Sequence, residues 1–132
     1  MPDKNLRPDD PLEWLKRAKS SLTKAKVLNG NKEIYLEDLC FDLQQAAEKA
    51  VKAVLIYYKI KFPKSHDLAD LMSMLETNRH SVPEEIKRAA ELTEYAVETR
   101  YPGWIEPVVQ TEYEEAIEIA EKVLNWAESL IK

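Results

Sequence analysis

From Leu36 to Tyr58 apolar residues recur in two adjacent helical rows, and that double row limits the folds open to the chain. Leu36, Leu39, Leu43, Ala46, Ala50 and Val54 form one row, and Cys40, Ala47, Val51, Leu55 and Tyr58 broaden it. A helix with a single apolar stripe faces one partner, whereas two rows require neighbours on several sides. This segment is therefore expected to be the central helix of an all-α bundle. Its alanines let a partner backbone approach closely.

Capping residues and apolar spacing place four more helices. Asp10-Pro11-Leu12-Glu13 joins an N-cap, a proline at the first helical position and a glutamate positioned for a capping box. The first helix should run from there to just before Gly30, with Leu15, Ala18, Leu22 and Ala25 on one face. A short third helix, Asp67 to Thr77, carries Leu68, Leu71, Met72 and Leu75. The fourth opens at a box-like Ser81-Val82-Pro83-Glu84, presents Ile86, Ala89, Ala90, Thr93 and Val97, and ends at Arg100. The fifth opens at Thr111-Glu112-Tyr113-Glu114 and carries Ala116, Ile117, Ala120, Val123, Leu124, Ala127 and Leu130. The expected fold is all-α, an antiparallel up-and-down bundle of about five helices, four long and one short. Residues 1–10 read as an N-terminal extension and 11–132 as a single bundle domain. Between the last two helices Tyr101-Pro102-Gly103-Trp104 has the proline and glycine of a type II turn, whose aromatics either pack across the bundle end or serve function.

The longest apolar run, Ala53 to Tyr58, is far below the ~20 residues that span a bilayer. Met1-Pro2-Asp3-Lys4-Asn5 has no leader character, and the single cysteine, Cys40, has no internal disulfide partner. Both point to a cytoplasmic protein without a membrane partner. The net charge of −5 is unevenly spread: residues 1–66 hold 13 Lys and Arg against 9 Asp and Glu, and residues 67–132 hold 6 against 15, so the halves are +4 and −9. Such polarity marks either a basic binding face or oppositely charged helices that neutralise one another.

Gln44, Glu48 and Lys52 recur every four residues on the most apolar helix, with Gln45 and Lys49 beside them. The plain reading is a solvated face with a favourable Glu48–Lys52 pair, although polar residues on so apolar a helix should be few and placed. His66 follows a loop containing Lys59, Lys61 and Lys64 and precedes Asp67 at a helix amino terminus. A phosphate would be at home beside such free amides, lysines and imidazole, while the simpler outcome is capping by Ser65 or Asp67. Arg100 lies seven residues after Thr93, on nearly the same helical face, and suits a phosphate or a buried ion pair with Glu48. The chain has no glycine-rich phosphate loop, no cysteine pair and no histidine pair at metal spacing, so neither a metal nor another cofactor is expected. Glu112, Glu114, Glu115, Glu118 and Glu121 read as an exposed acidic face.

Cys40 with Gln44-Gln45-Ala46-Ala47-Glu48-Lys49-Ala50-Val51-Lys52-Ala53, then Ser65-His66-Asp67-Leu68, Arg100-Tyr101-Pro102 and the tyrosine- and alanine-rich last helix together resemble the HEPN domain, from about Leu12 to Leu130. The resemblance implies an antiparallel helical bundle, commonly a homodimer, often encoded beside a minimal nucleotidyltransferase and associated with nucleotides or RNA. Active ribonucleases of that family use an arginine and a histidine separated by four to six residues. Here Lys59 to Lys61 lacks the arginine that His66 requires, Ser73 to Leu75 lacks one for His80, and Ile105, Glu106 and Pro107 stand where Arg100 requires a histidine. The expected function is therefore a non-catalytic nucleotide- or partner-binding module that works with a minimal nucleotidyltransferase in a toxin–antitoxin setting. Its expected ligand-binding residues are Gln45, Lys49, Lys52, His66, Arg100 and Tyr101. Two alternatives stay open: a divergent metal-independent ribonuclease toxin, an RNA endonuclease using His66 and Arg100, and a purely structural homodimer.

Overall fold

Local chemistry sets most element boundaries. The structure, a computed structural model that describes residues 9–96 and 107–131, consists of α1 (Pro11–Val27), α2 (Leu36–Tyr57), α3 (Leu68–Thr77), α4 (Glu84–Lys87) continued by a 3₁₀ helix (Arg88–Ala96), and α5 (Gln110–Leu130). No strand occurs among the described residues. Asp10 caps α1 by accepting the Leu12 N–H at 2.9 Å. Glu13 does not complete the expected box, because its carboxylate pairs with Arg17 one turn on at 3.3 Å. Gly30, at φ 94°, turns the chain after α1 without a Cβ penalty.

Both α2 and α3 end in Schellman motifs. After α2, Ile60 N–H donates to Leu55 O and Lys59 N–H to Ile56 O; after α3, His80 N–H donates to Leu75 O and Arg79 N–H to Glu76 O. The left-handed position, where glycine is unstrained, holds Lys59 (φ 61°) in one and Arg79 (φ 68°) in the other.

The fourth segment departs from expectation. Only its first turn is α-helical and the rest tightens to 3₁₀, while Val97 and Arg100 lie outside the described residues. Its apolar residues explain the tightening: Ile86, Ala89, Leu92 and Tyr95 recur every three residues, the repeat of a 3₁₀ helix, and the first three are buried. Pro83 occupies the N-cap of α4 with no side-chain capping bond, so the anticipated box is not formed. At α5 half a box exists, with the Glu112 carboxylate accepting the Val109 N–H at 3.0 Å.

The long segments alternate in direction. Lys24 pairs with Asp42 at 3.1 Å and Lys49 donates to Ser21 at 3.2 Å, so α1 lies antiparallel to α2. The connection at 58–67 doubles back along α2, bringing His66 beside Glu48, and α3 then climbs again until His80 stacks on Tyr58 with centroids 3.6 Å apart. The segment formed by α4 and the 3₁₀ helix descends against α3, from Lys87–Glu76 at 3.0 Å to Thr93, which accepts the Leu68 N–H at 3.2 Å. As its two rows require, α2 touches α1, α3, the 3₁₀ helix and α5. Its faces are lined by fully buried Ala46, Ala47, Ala50 and Ala53, and Ala18, Ala25, Ala120 and Ala127 answer from α1 and α5. Each buried leucine in this core, Leu43, Leu55 and Leu71 among them, contributes about 1.5–3 kcal/mol of transfer free energy. No helix among the described residues is long and apolar enough to cross a membrane.

Candidate functional site

The polar stripe of α2 is buried. Gln44, Glu48 and Lys52 are 0%, 3% and 8% exposed, because the doubled-back connection and α1 cover the face that sequence spacing alone leaves in solvent. Glu48 is the hub. Its carboxylate accepts from Lys52 Nζ at 2.7 Å, from Gln44 Nε2 at 2.9 Å and from His66 Nδ1 at 2.9 Å. Gln44 also donates to the His66 carbonyl at 3.3 Å, and Gln45 donates to Gln44 Oε1 at 2.8 Å. Burial by itself would push the Glu48 carboxyl up, but hydrogen bonds from Lys52, Gln44 and His66 and the Lys52 charge together hold it below the ordinary glutamate range.

An ionised carboxylate only accepts, so the proton between Glu48 and His66 sits on Nδ1 and the other ring nitrogen, Nε2, is the free one. Seventy per cent of the His66 side chain is exposed, whereas its Glu48 partner is 4% exposed. The site thus presents an imidazole at the surface, held from beneath by a buried anion. Lys52 does not reach out beside it. Its ammonium is committed to Glu48 and lies 5.9 Å from the Trp14 ring and 5.8 Å from the Phe62 ring.

The residues expected to bind ligand therefore separate. His66 is accessible, while Lys52 and Gln45 serve the network that holds it. Lys49 faces α1, donating to Ser21, and burial followed by the neighbouring Arg17 charge lowers its pKa. Arg100 and Tyr101 lie outside the described residues. The α3 amino terminus is also closed to a phosphate: Ser65 Oγ takes the Asp67 N–H, Thr93 Oγ1 the Leu68 N–H, and the Asp67 carboxylate the Ala69 and Asp70 N–H groups. The sequence reading gave Glu48 a solvated pair with Lys52, offered it besides as a buried partner for Arg100, and passed over Trp14 and Phe62. Its only signal was a polar stripe on an otherwise apolar helix.

Of the ion pairs between described residues, only Lys26–Glu121 joins the basic first half of the chain to the acidic second half. The anticipated neutralisation is thus confined to one pair by this measure. No group of three or more His, Cys, Asp or Glu side chains among the described residues could hold a metal ion.

Comparison with known proteins matches the family model of the HEPN domain to residues 12–130. Among solved structures, ST0689, described as an archaeal HEPN homologue, aligns with a TM-score of 0.75 and 28% identity over 93% of this chain and 98% of its own. TT1696 from Thermus thermophilus aligns with a TM-score of 0.76 and 32% identity over 90% of this chain and 96% of its own. A comparison with curated proteins finds no match.

Proposed function

Because the chain belongs to the HEPN domain family, we propose that it is a nucleotide-binding module that acts as a homodimer beside a minimal nucleotidyltransferase, in a cytoplasmic toxin–antitoxin setting. One observation carries the nucleotide reading: a fully satisfied buried carboxylate, Glu48, fixes the tautomer and orientation of an exposed imidazole, His66. A ring pinned in this way loses little freedom when an N–H of a base edge or a ribose hydroxyl donates to Nε2. Gln45 and Lys52 act in this reading as positioning groups, and Arg100 and Tyr101 are proposed to complete the ligand site. No cofactor is required.

Calorimetric titration with ATP and GTP tests the reading. Saturable heat and thermal stabilisation at millimolar nucleotide are expected, with both lost in His66→Ala and weakened in Glu48→Gln. Absence of heat and of stabilisation in the unaltered chain would remove the nucleotide claim. Sedimentation equilibrium at tens of micromolar should give twice the monomer mass, and a monomer there counts against the dimer. Co-purification with the product of the neighbouring reading frame, if that is a nucleotidyltransferase, tests the partnership.

The Glu48–His66 hydrogen bond also supports a second reading, a metal-independent ribonuclease. A carboxylate on Nδ1 leaves Nε2 able to take the proton of an RNA 2′-hydroxyl, with Arg100 as the group that stabilises phosphate charge. Cleavage of total RNA that disappears in both His66→Ala and Arg100→Ala would establish it, and intact RNA with the unaltered chain would end it.

A further inference from the structure

A second set of uncommitted polar groups lies at the carboxyl end of α2, where Tyr58 stands roughly 15 Å of helical rise beyond Glu48. There the ends of α2, α3 and α5 border a cavity of about 250 Å³. Its floor is apolar, with Val54 and Leu75 buried and Trp126 half-buried, while Arg79, His80 and Ser81 form its polar rim. Among the described residues no carboxylate lines it. The three rim residues are consecutive and each keeps an unused hydrogen-bonding side chain. Arg79 makes no ion pair, and neither the Ser81 hydroxyl nor either ring nitrogen of His80 has a hydrogen-bond partner among the described residues. Tyr58 stacks on the imidazole with centroids 3.6 Å and planes 11° apart, which fixes the ring and covers its face rather than its nitrogen-bearing edge.

The backbone here is strained in the manner of a functional position: Arg79 sits at φ 68°, where glycine would be at ease. The dipole at the carboxyl end of α3 favours a cation, but it calls for no cavity, imidazole or hydroxyl beside it. The terminal carbonyls of α2 and α3, which would repel an anion, already accept the N–H groups of Tyr58, Lys59 and Ile60 and of Asn78, Arg79 and His80. We propose that this cavity binds a small carboxylate with an apolar body, its carboxyl group on the Arg79 guanidinium and its body against Val54, Leu75 and Trp126. The planar arginine fork meets a carboxylate in two parallel hydrogen bonds, and the Ser81 hydroxyl and one imidazole N–H can each donate another. One permanent cation answers a monoanion, whereas a phosphate dianion would lie over an apolar floor with half its charge unmatched. The cavity falls below the roughly 300–1,000 Å³ of sites for drug-sized ligands, so the ligand is a small one. The site is separate from His66 and stands whether or not a nucleotide binds there.

Calorimetric titration with benzoate and isovalerate tests it, with benzamide and inorganic phosphate as comparators. Saturable heat at millimolar carboxylate is expected, and none from the neutral amide at the same concentration. Arg79→Gly removes the fork and relieves the backbone, so it should raise the thermal midpoint while weakening carboxylate binding about tenfold or more, a loss that unfolding cannot explain. Arg79→Lys keeps the charge without the fork and should weaken binding severalfold. His80→Phe, which keeps a ring on Tyr58 but loses the donor, and Ser81→Ala should each cost about fivefold. The site is overturned by an absence of saturable heat from both carboxylates at tens of millimolar, by equal binding of benzamide, by tighter binding of phosphate than of either carboxylate, or by unchanged affinity in Arg79→Gly.

Discussion

A carboxylate at 3% exposure persists in this bundle because its lone pairs are claimed by an ammonium, an amide and an imidazole, which offset its desolvation. Removing one partner should therefore cost more than the pair is worth. Lys52→Met is expected to lower unfolding free energy by on the order of 3 kcal/mol in urea titrations, and Glu48→Leu added to it to recover most of that loss. The Glu48 carboxyl is held below its unfolded value, so the folded state binds fewer protons in acid than the unfolded chain does. Its stabilisation is fully present above the unfolded value of about 4.3 and is lost as pH falls through the lower folded value. Thermal unfolding of Glu48→Gln should accordingly vary less with pH in that acid range than unfolding of the unaltered chain. A Glu48→Gln profile as steep as the parent would assign the acid sensitivity to other carboxylates.

At the carboxyl ends of α2 and α3 two residues go against local preference, Lys59 and Arg79 at left-handed Schellman positions. A side chain there costs roughly 1–2 kcal/mol that glycine avoids, partly regained because a more flexible unfolded chain opposes glycine. Arg79→Gly should raise stability by about 0.5–1 kcal/mol, read as an upward shift of the thermal midpoint, since Arg79 makes no ion pair among the described residues. In the fourth segment the 3₁₀ repeat of Ile86, Ala89, Leu92 and Tyr95 was present in the sequence, but Ala90 and Thr93 fit an α-helical repeat nearly as well. The Thr93 hydroxyl accepts the Leu68 N–H of α3, a contact across 25 residues that the repeat alone does not reveal.

Across the whole molecule, α5 is locked to α1 by the buried Tyr113 hydroxyl, which donates to Ala25 O at 2.9 Å over 88 residues of sequence. Tyr113→Phe leaves that carbonyl without its donor and should cost about 1 kcal/mol in chemical denaturation without changing the slope of the transition. Burial, with Cys40 nearby, raises the pKa of that phenol, so the bond stays intact through the neutral range. Among the described residues one ion pair joins the basic first half to the acidic second half, and Lys59, Lys61 and Lys64 of the first half are exposed along the connection at 58–67.

Helix number, the first three helix spans, the start of α5 and the central place of α2 were legible because apolar periodicity and capping are short-range properties, and the order and spacing of motifs between Leu12 and Leu130 carried the resemblance to the HEPN domain family, to which the chain belongs. Tertiary structure alone decided what Gln44, Glu48 and Lys52 are. An i, i+4 pair reads the same whether water or protein lies over it, and here a connection that doubles back brings His66 and Phe62 to the stripe while α1 brings Trp14. Whether a polar residue becomes a solvated charge or the hub of a buried network depends on what covers it, and that cover is supplied by residues 14, 18 and 34 positions away from Glu48 along the chain.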